Sequence, residues 1–455
     1  GVNLTADGKK FIYRSGSDYG IANLAPGQNA GAGKLDLSEM TMKIDPVKEW
    51  KQIYADGWRI FRDYFYVENI HNVDWKSIRD KYEKLLPYVS HRADLDYILG
   101  EIVSETNTGH CYVNYGDFEK VDRIETGLLG AKLSADEDAG RFVIEKIYAA
   151  ENWNKERRNP LTEQGVDVRE GDYLISIDGK EVTTGENPYK YLENKVDKLV
   201  EITVNSNPSV EGARTYKIKP IDSELSLMYH DWVESRRKMV EEMSDGRIGY
   251  IHVPNTSVQG NKELFKGMYA YHNKDALIID DRYNGGGFIP DVMAELLDRD
   301  ILSYWHRRGM EPSQTPGVAH DGPKAMLINH YSSSGGDAFP YYFKKKDLGV
   351  LIGTRTWGGL VGMSGNASLV DGGYIAVPRF GIFNEKGEWI IEGIGVYPDI
   401  QVIDKPHLVA KGQDPSLEKA VEVLLKKLEE KPPEKVSPPN DPDRSGWIEQ
   451  KIKKD

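Results

Sequence analysis

Asn329-His-Tyr-Ser-Ser-Ser-Gly-Gly-Asp-Ala-Phe-Pro340 is the stretch that decides the fold. An apolar run, Ala325-Met-Leu-Ile328, leads into it, and an aromatic run over 339–343 leads out. That order predicts a buried strand, a tight turn and the start of a helix. A serine at such a turn exposes its hydroxyl at a helix N-terminus, where free backbone N–H groups can hold an oxyanion. Gly335 and Gly336 remove the Cβ atoms that would block an incoming carbonyl. Taken alone, the same residues also describe a Ser/Gly turn that only caps a helix.

The surroundings extend the pattern. Buried strands are predicted over 248–253, 276–280, 325–328 and 349–353, with helices over 261–273, 289–298 and 336–346, which is an α/β layout with a largely parallel sheet. Two further glycine-rich stretches follow strands: Asp280-Asp-Arg-Tyr-Asn-Gly-Gly-Gly-Phe288 and Gly353-Thr-Arg-Thr-Trp-Gly-Gly359. Ligands of parallel sheets sit outside the carboxyl ends of the strands, so these loops are expected to converge with the serine turn. No Gly-Lys-Ser/Thr follows any of them, which speaks against a phosphate cradle.

Upstream, 46–103 reads as helical. Trp50, Ile53, Tyr54, Trp58, Ile60, Phe61 and Phe65 recur mostly at three- and four-residue spacing, as a core-facing aromatic stripe does. Helices are expected after Asp74 and after Asp94, the latter ending near Glu105, and Thr106-Asn-Thr-Gly-His-Cys-Tyr-Val113 leads out into a strand. Residues 119–222 have short alternating strands instead. Gly127-Leu-Leu-Gly130 precedes one strand, and Asp178-Gly179 suits a type I′ turn between two others. Both look like a PDZ domain, whose Gly-Leu-Leu-Gly type of loop captures a peptide carboxylate with backbone N–H groups; a closed β-domain without ligand is the plainer alternative. A helix is expected over 415–430 and an extended tail over 431–455, rich in Pro, Lys and Asp.

Composition narrows the function. The 455 residues carry a net charge of −13, which argues against a nucleic-acid binder or a protein held to anionic lipid. No apolar stretch approaches the ~18 residues of a membrane helix. The single cysteine, Cys111, excludes an internal disulfide framework. No His-Glu-x-x-His occurs and no ligands cluster at metal spacing, so neither a metal nor another cofactor is called for. The chain opens at Gly1 without a signal-peptide pattern, and residues 1–40 read like the end of a β-propeller blade, so a C-terminal fragment of a longer protein is expected.

Together, Asn284-Gly-Gly-Gly-Phe288, Ser334-Gly-Gly-Asp337, Gly353 to Gly359 and Glu392-Gly-Ile-Gly-Val-Tyr-Pro-Asp-Ile400 resemble the catalytic half of the tricorn protease family, over roughly residues 41–430. The resemblance implies an α/β multidomain serine peptidase acting on peptides or unfolded proteins. Its parts would be a propeller remnant (1–40), a helical cap carrying the base histidine (41–118), a PDZ-like β-domain (119–222), a crotonase-like ββα catalytic core (223–405), and a C-terminal helix and tail (406–455). Carried over residue by residue, Ser334 is the nucleophile, His110 the general base and Glu392 its orienting partner. The oxyanion hole is assigned to N–H groups of Gly335 and of the Gly286–Gly287 turn, and peptide capture to Gly127, Leu128, Leu129 and Gly130. The family also implies a closed homo-oligomer in the cytoplasm, or in the periplasm if a signal peptide was lost with a missing N-terminal part.

Three departures from the family stand out. The serine that precedes the base histidine is Gly109 here. The segment expected to set cleavage preference, Ser303-Tyr-Trp-His306, has no carboxylate, so Tyr304 and Trp305 are expected to replace a basic preference with an apolar or aromatic one. The two propellers are missing apart from the remnant. The related carboxyl-terminal processing proteases use a serine–lysine dyad, but this chain has no lysine near Gly359. Cys111 adjoins His110 on a strand and faces away from it, a poor arrangement for a thiol nucleophile. The rival to a peptidase is a catalytically degenerate, PDZ-type peptide-binding module, which Gly109 favours and the intact serine and glycine loops oppose.

Overall fold

The computed structural model describes residues 1–29, 31–434 and 436–443. Ile248–His252, Ala276–Asp280, Lys324–Ile328, Val350–Gly353 and Ile400–Gln401 lie side by side, in that order, in one parallel sheet. Every residue of the first three strands is buried, as near-continuous apolar runs require when helices cover both faces. Alternate residues part to the two sides. Leu277, Ile279 and Met326 meet Leu264, Met293, Phe339 and Phe343 of the helices Val258–Ala270, Pro290–Leu297 and Gly335–Lys345. Ile278, Ala325 and Leu327 meet Val240, Leu417, Ala420 and Leu424 of the helices Leu225–Met243 and Pro415–Glu430.

The helix expected over 261–273 starts three residues earlier, at Val258. Asn255 explains the shift: its Oδ1 accepts the Ser257 and Gly260 N–H groups at 3.2 and 3.0 Å, which satisfies donors of the first turn before the apolar periodicity begins. Behind the strand Ala276–Asp280, the buried Arg282 guanidinium donates to Asp280 at 2.7 Å and to Asp414 at 2.7 and 3.1 Å. The glycine loop that follows Arg282 is thereby tied to the start of the C-terminal helix.

The cap consists of Pro46–Tyr64, Trp75–Glu83 and Arg92–Ser104. Asp45 and Asp74 cap the first two helices through the N–H groups of Lys48 and Ser77. Ile53, Tyr54, Phe61, Leu95 and Leu99 form their common core, and the rings of Phe61 and Trp75 stack at 4.9 Å. The cap is locked to the core by a short strand, Tyr112–Asn114, which pairs antiparallel with Tyr374–Ala376. A buried ion pair, Arg92 to Asp371 at 2.6 Å, lies beside that joint.

In the PDZ-like unit the strands run in the order Arg214–Ile218, Val200–Asn205, Tyr173–Ile177, Arg141–Ile147, Ala131–Asp136, all antiparallel. Asp178 and Gly179 both have positive φ, 48° and 72°, as a type I′ turn demands. The first residues form a three-stranded antiparallel sheet, Val2–Leu4, Lys10–Ser15 and Asp18–Asn23. Residues 431–434 and 436–443 contain no helix or strand, and the rest of the expected tail, 435 and 444–455, lies outside the described residues. Among the described residues no helix is long and apolar enough to cross a membrane.

Candidate active site

Ser334 ends the turn after Lys324–Ile328 and caps the helix Gly335–Lys345, with φ 57° and ψ −115°. A non-glycine residue in such a conformation costs on the order of 1–3 kcal/mol and must be held there. Three contacts hold it. The Ser334 N–H donates to Asp337 Oδ2 at 2.8 Å, the Ser333 N–H to the Asn284 carbonyl at 2.9 Å, and the Ser332 hydroxyl to the Asp281 carbonyl at 2.7 Å. The last two fasten the serine turn to the glycine loop on the neighbouring strand, so the expected convergence of these loops is present.

The oxyanion assignment needs one correction. The Gly286 N–H donates to Asn284 Oδ1 at 2.8 Å and is therefore committed within its own loop. Gly287 and Gly335 N–H have no acceptor among the described hydrogen bonds. They belong together: a Cβ added to Gly335 would stand 2.8 Å from the Gly287 nitrogen, and one added to Gly286 would stand 2.7 Å from Ser334 Cβ. No side chain larger than hydrogen fits at either place.

His110, buried and with φ 57°, lies against Trp357, ring centres 5.4 Å apart. The Trp357 backbone N–H donates to the Ser332 carbonyl at 2.9 Å, so His110 and the serine turn flank the same loop. Burial lowers the His110 pKa from its ordinary value. Its Nδ1 is buried with no hydrogen-bond partner, and no bond joins it to Glu392 or to the Ser334 hydroxyl among the described residues. Glu392 instead braces backbone: Oε1 accepts the Gly109 N–H at 2.7 Å and Oε2 the Leu360 N–H at 2.6 Å. It fixes the residue beside the histidine rather than the imidazole. Burial pushes the neighbouring Cys111 thiol up to about 12, which removes the thiolate as a nucleophile at neutral pH.

Asp337 went unassigned in the sequence. Fully buried, it accepts from Ser334, Gly358 and Gly359 N–H groups at 2.8, 2.7 and 3.4 Å, and one carboxylate thus sets both the nucleophile turn and the loop under His110. The signal available was its place three residues after Ser334, where an acidic side chain reaches back to a helix-capping N–H. Burial raises its pKa above the usual carboxylate value, toward the lowered histidine. If neutral His110 imidazole is the base, hydrolysis is expected to fall as pH drops through both groups. The acid limb of kcat/KM should have its midpoint below the ordinary histidine value of 6.5; a midpoint at or above 6.5 would remove His110 as the base.

Beside Ser334 opens a cleft of about 470 Å³, lined among others by Phe288, Tyr342, Leu360, Phe380 and Phe383, with Asp291 as its one acidic side chain. Tyr304 and Trp305 are not part of its lining. They lie on a hairpin, Ser303–Trp305 paired with Ser313–Thr315, and are exposed. The aromatic character expected of the cleft is supplied by residues around 380 instead. Gly127, Leu128, Leu129 and Gly130 sit apart from it, at the start of the PDZ-like sheet. Among the described residues no three His, Cys, Asp or Glu side chains group as metal ligands.

Residues 247–402 match the model of peptidase family S41, 127–223 that of the tricorn protease PDZ domain and 46–104 that of the tricorn protease C1 domain. The chain is 34% identical to a putative tricorn-like protease C-terminal subunit of Sulfurisphaera tokodaii, over 94% of this chain and 50% of that protein. It is 32% identical to the tricorn protease of Thermoplasma acidophilum, over 94% of this chain and 39% of that one. A crystal structure of the tricorn protease superposes with a TM-score of 0.85 at 29% identity, covering 94% of this chain and 41% of that chain. The chain spans half or less of the length of these relatives. With helical cap, PDZ-like sheet and parallel-sheet core in the same order, it belongs to the tricorn protease family, corresponding to that family's C-terminal half, with its core matching peptidase family S41.

Proposed function

We propose that the chain cleaves peptides or unfolded proteins through a Ser334 acyl-enzyme. His110 takes the hydroxyl proton as Ser334 attacks the carbonyl and returns it to the leaving amine. The N–H groups of Gly287 and Gly335 hold the oxyanion, and Glu392 acts as a positioning residue on the backbone at Gly109 and Leu360. The observation that carries this reading is the strained Ser334, pinned by Asp337 beside two uncommitted N–H groups. The apolar cleft supports a preference for an aromatic or aliphatic residue at the cleavage site, with Phe380 and Phe383 as its walls. Digestion of a diverse peptide library, read by mass spectrometry beside a Ser334→Ala control, tests both claims. Cuts clustered after Lys or Arg would refute the apolar preference.

The unpartnered Nδ1 of His110 favours a second reading, a peptide-binding module that does not cut, and library peptides retained intact would support it. It also yields a prediction within the first reading. A Cβ at Gly109 would stand 3.4 Å from Glu392 Oε1 and 3.2 Å from Gly359 Cα, tight but passable with small shifts. Gly109→Ser is expected to raise kcat roughly tenfold by placing a hydroxyl between Glu392 and the imidazole, equal to about 1.4 kcal/mol of barrier. Steady-state kinetics showing unchanged or lower kcat in a folded variant would mean the imidazole is already well oriented.

A further inference from the structure

The loop read as a peptide-carboxylate cradle already holds a carboxylate. Glu224 Oε1 accepts the N–H groups of both Gly130 and Ala131, at 2.7 and 3.1 Å. Glu224 comes from outside the PDZ-like sheet, immediately before the helix Leu225–Met243 that packs on the catalytic core. Two successive N–H groups converging on one oxygen are how a backbone nest binds an anion.

The loop is built for that task. Gly130 has φ 78°, and a Cβ there would stand 2.4 Å from Asn159 Oδ1. Asn159, fully buried, donates its Nδ2 to the Gly130 carbonyl at 2.7 Å and to the Tyr148 carbonyl at 2.9 Å. With its carbonyl so held, the Gly130–Ala131 peptide turns the Ala131 N–H toward Glu224. Leu128 is tied on the other side, exchanging backbone bonds with Ile221 at 2.7 and 3.0 Å. Among the described residues the strand that begins at Ala131 is the end strand of its sheet, paired only with Arg141–Ile147, so its second edge is where an added peptide strand would lie. Tyr148 and Tyr189 both feel the Glu224 charge, and burial together with that charge pushes the Tyr189 hydroxyl up to about 12.

The PDZ resemblance already implies that this nest takes the α-carboxylate of a peptide; we propose that Glu224 is its resident ligand, a built-in plug that an incoming peptide C-terminus must displace. A free C-terminus with an apolar last residue would supply the same two acceptor contacts and continue as a strand along 131–136. While Glu224 is seated, the PDZ-like unit and the first core helix are fastened together and the cradle is closed. Displacement opens the cradle and releases that fastening in one step. The inference does not depend on the peptidase reading, since it concerns binding and not cleavage.

The test uses the full chain carrying Ser334→Ala, so that no probe is cut, with and without Glu224→Ala. The probe is a fluorescein-labelled octapeptide ending in valine with a free carboxylate, beside the same peptide as its C-terminal amide, followed by anisotropy. Glu224→Ala is expected to tighten binding of the free-acid peptide at least tenfold and to leave the amide unchanged. In the same variant, sodium acetate at 50 mM should raise Tm by several degrees relative to chloride at equal ionic strength, with no such shift when Glu224 is present. Equal affinity for the acid peptide with and without Glu224, or a gain shared by the amide, would overturn the proposal. If Glu224→Ala does not fold, Glu224→Gln decides. It keeps the shape and removes the charge, and a several-fold, acid-specific gain supports the proposal while no gain sinks it. Cleavage by the chain with Ser334 intact is scored separately, so failure here and failure of the peptidase reading are distinguishable.

Discussion

Replacing Ser334 by alanine is expected to lower peptide hydrolysis by about 10⁴- to 10⁶-fold while leaving the fold in place. The conformation of this residue does not depend on its hydroxyl. Its N–H is held by Asp337, and the turn is tied through Ser333 and Ser332 to the glycine loop; none of these bonds involves the Ser334 side chain. Alanine therefore inherits the same strained backbone, and Tm should move by no more than a few degrees. His110→Ala is expected to fall in the same range, and the double variant to lose little more than either alone, because under the proposed mechanism nucleophile and base act as one unit. Measured kcat/KM in the Ser334 variant above about a hundredth of the parent would mean that another group performs the attack.

Gly335→Ala should have the second-largest effect, and by a different route. The new Cβ would stand 1.9 Å from Thr256 Oγ1 and 2.4 Å from the Gly287 carbonyl oxygen. Two of its three nearest atoms are backbone, so the loops must separate rather than a side chain swing aside. Removing one oxyanion donor costs on the order of 10²–10³ in turnover, and this substitution disturbs both donors at once. The expected result is a fall in kcat of at least 10³-fold with a smaller change in KM, together with a lowered Tm. Gly100→Ala, where a Cβ meets nothing within 4 Å, is the matched control and should keep full activity. Near-parental kcat in Gly335→Ala would show that the oxyanion is stabilised elsewhere.

Much of this was legible from residue order. The strand–turn–helix around Ser334, the parallel core and the Asp178–Gly179 hairpin follow from hydrophobic runs and turn chemistry, which act over a few residues. What escaped depends on contacts distant in sequence or on which donor is already used. Asn284 taking the Gly286 N–H cannot be inferred from three glycines in a row. The cleft wall at Phe380 lies on a strand of four residues, Pro378–Gly381, too short for an alternating pattern, and its partner is Val361–Met363. Glu224 reads as one more surface acid between two domains, and only the folded chain carries it 94 positions back to Gly130. Glu392 was found through family likeness, yet its actual targets are backbone N–H groups, which no motif displays.

The Glu392 brace has a consequence for biosynthesis. Its two oxygens join Gly109 to Leu360, and the first of those bonds spans 283 positions of sequence. During translation the histidine emerges early, the serine much later, and the carboxylate that aligns the histidine's backbone last of all. Under the proposed mechanism a growing chain on the ribosome therefore carries a base with nothing to activate, and then a nucleophile whose partner loop is still slack. On that mechanism, competence arrives only once residue 392 has been made and seated. The chain, on that mechanism, stays silent for as long as it is itself unfolded.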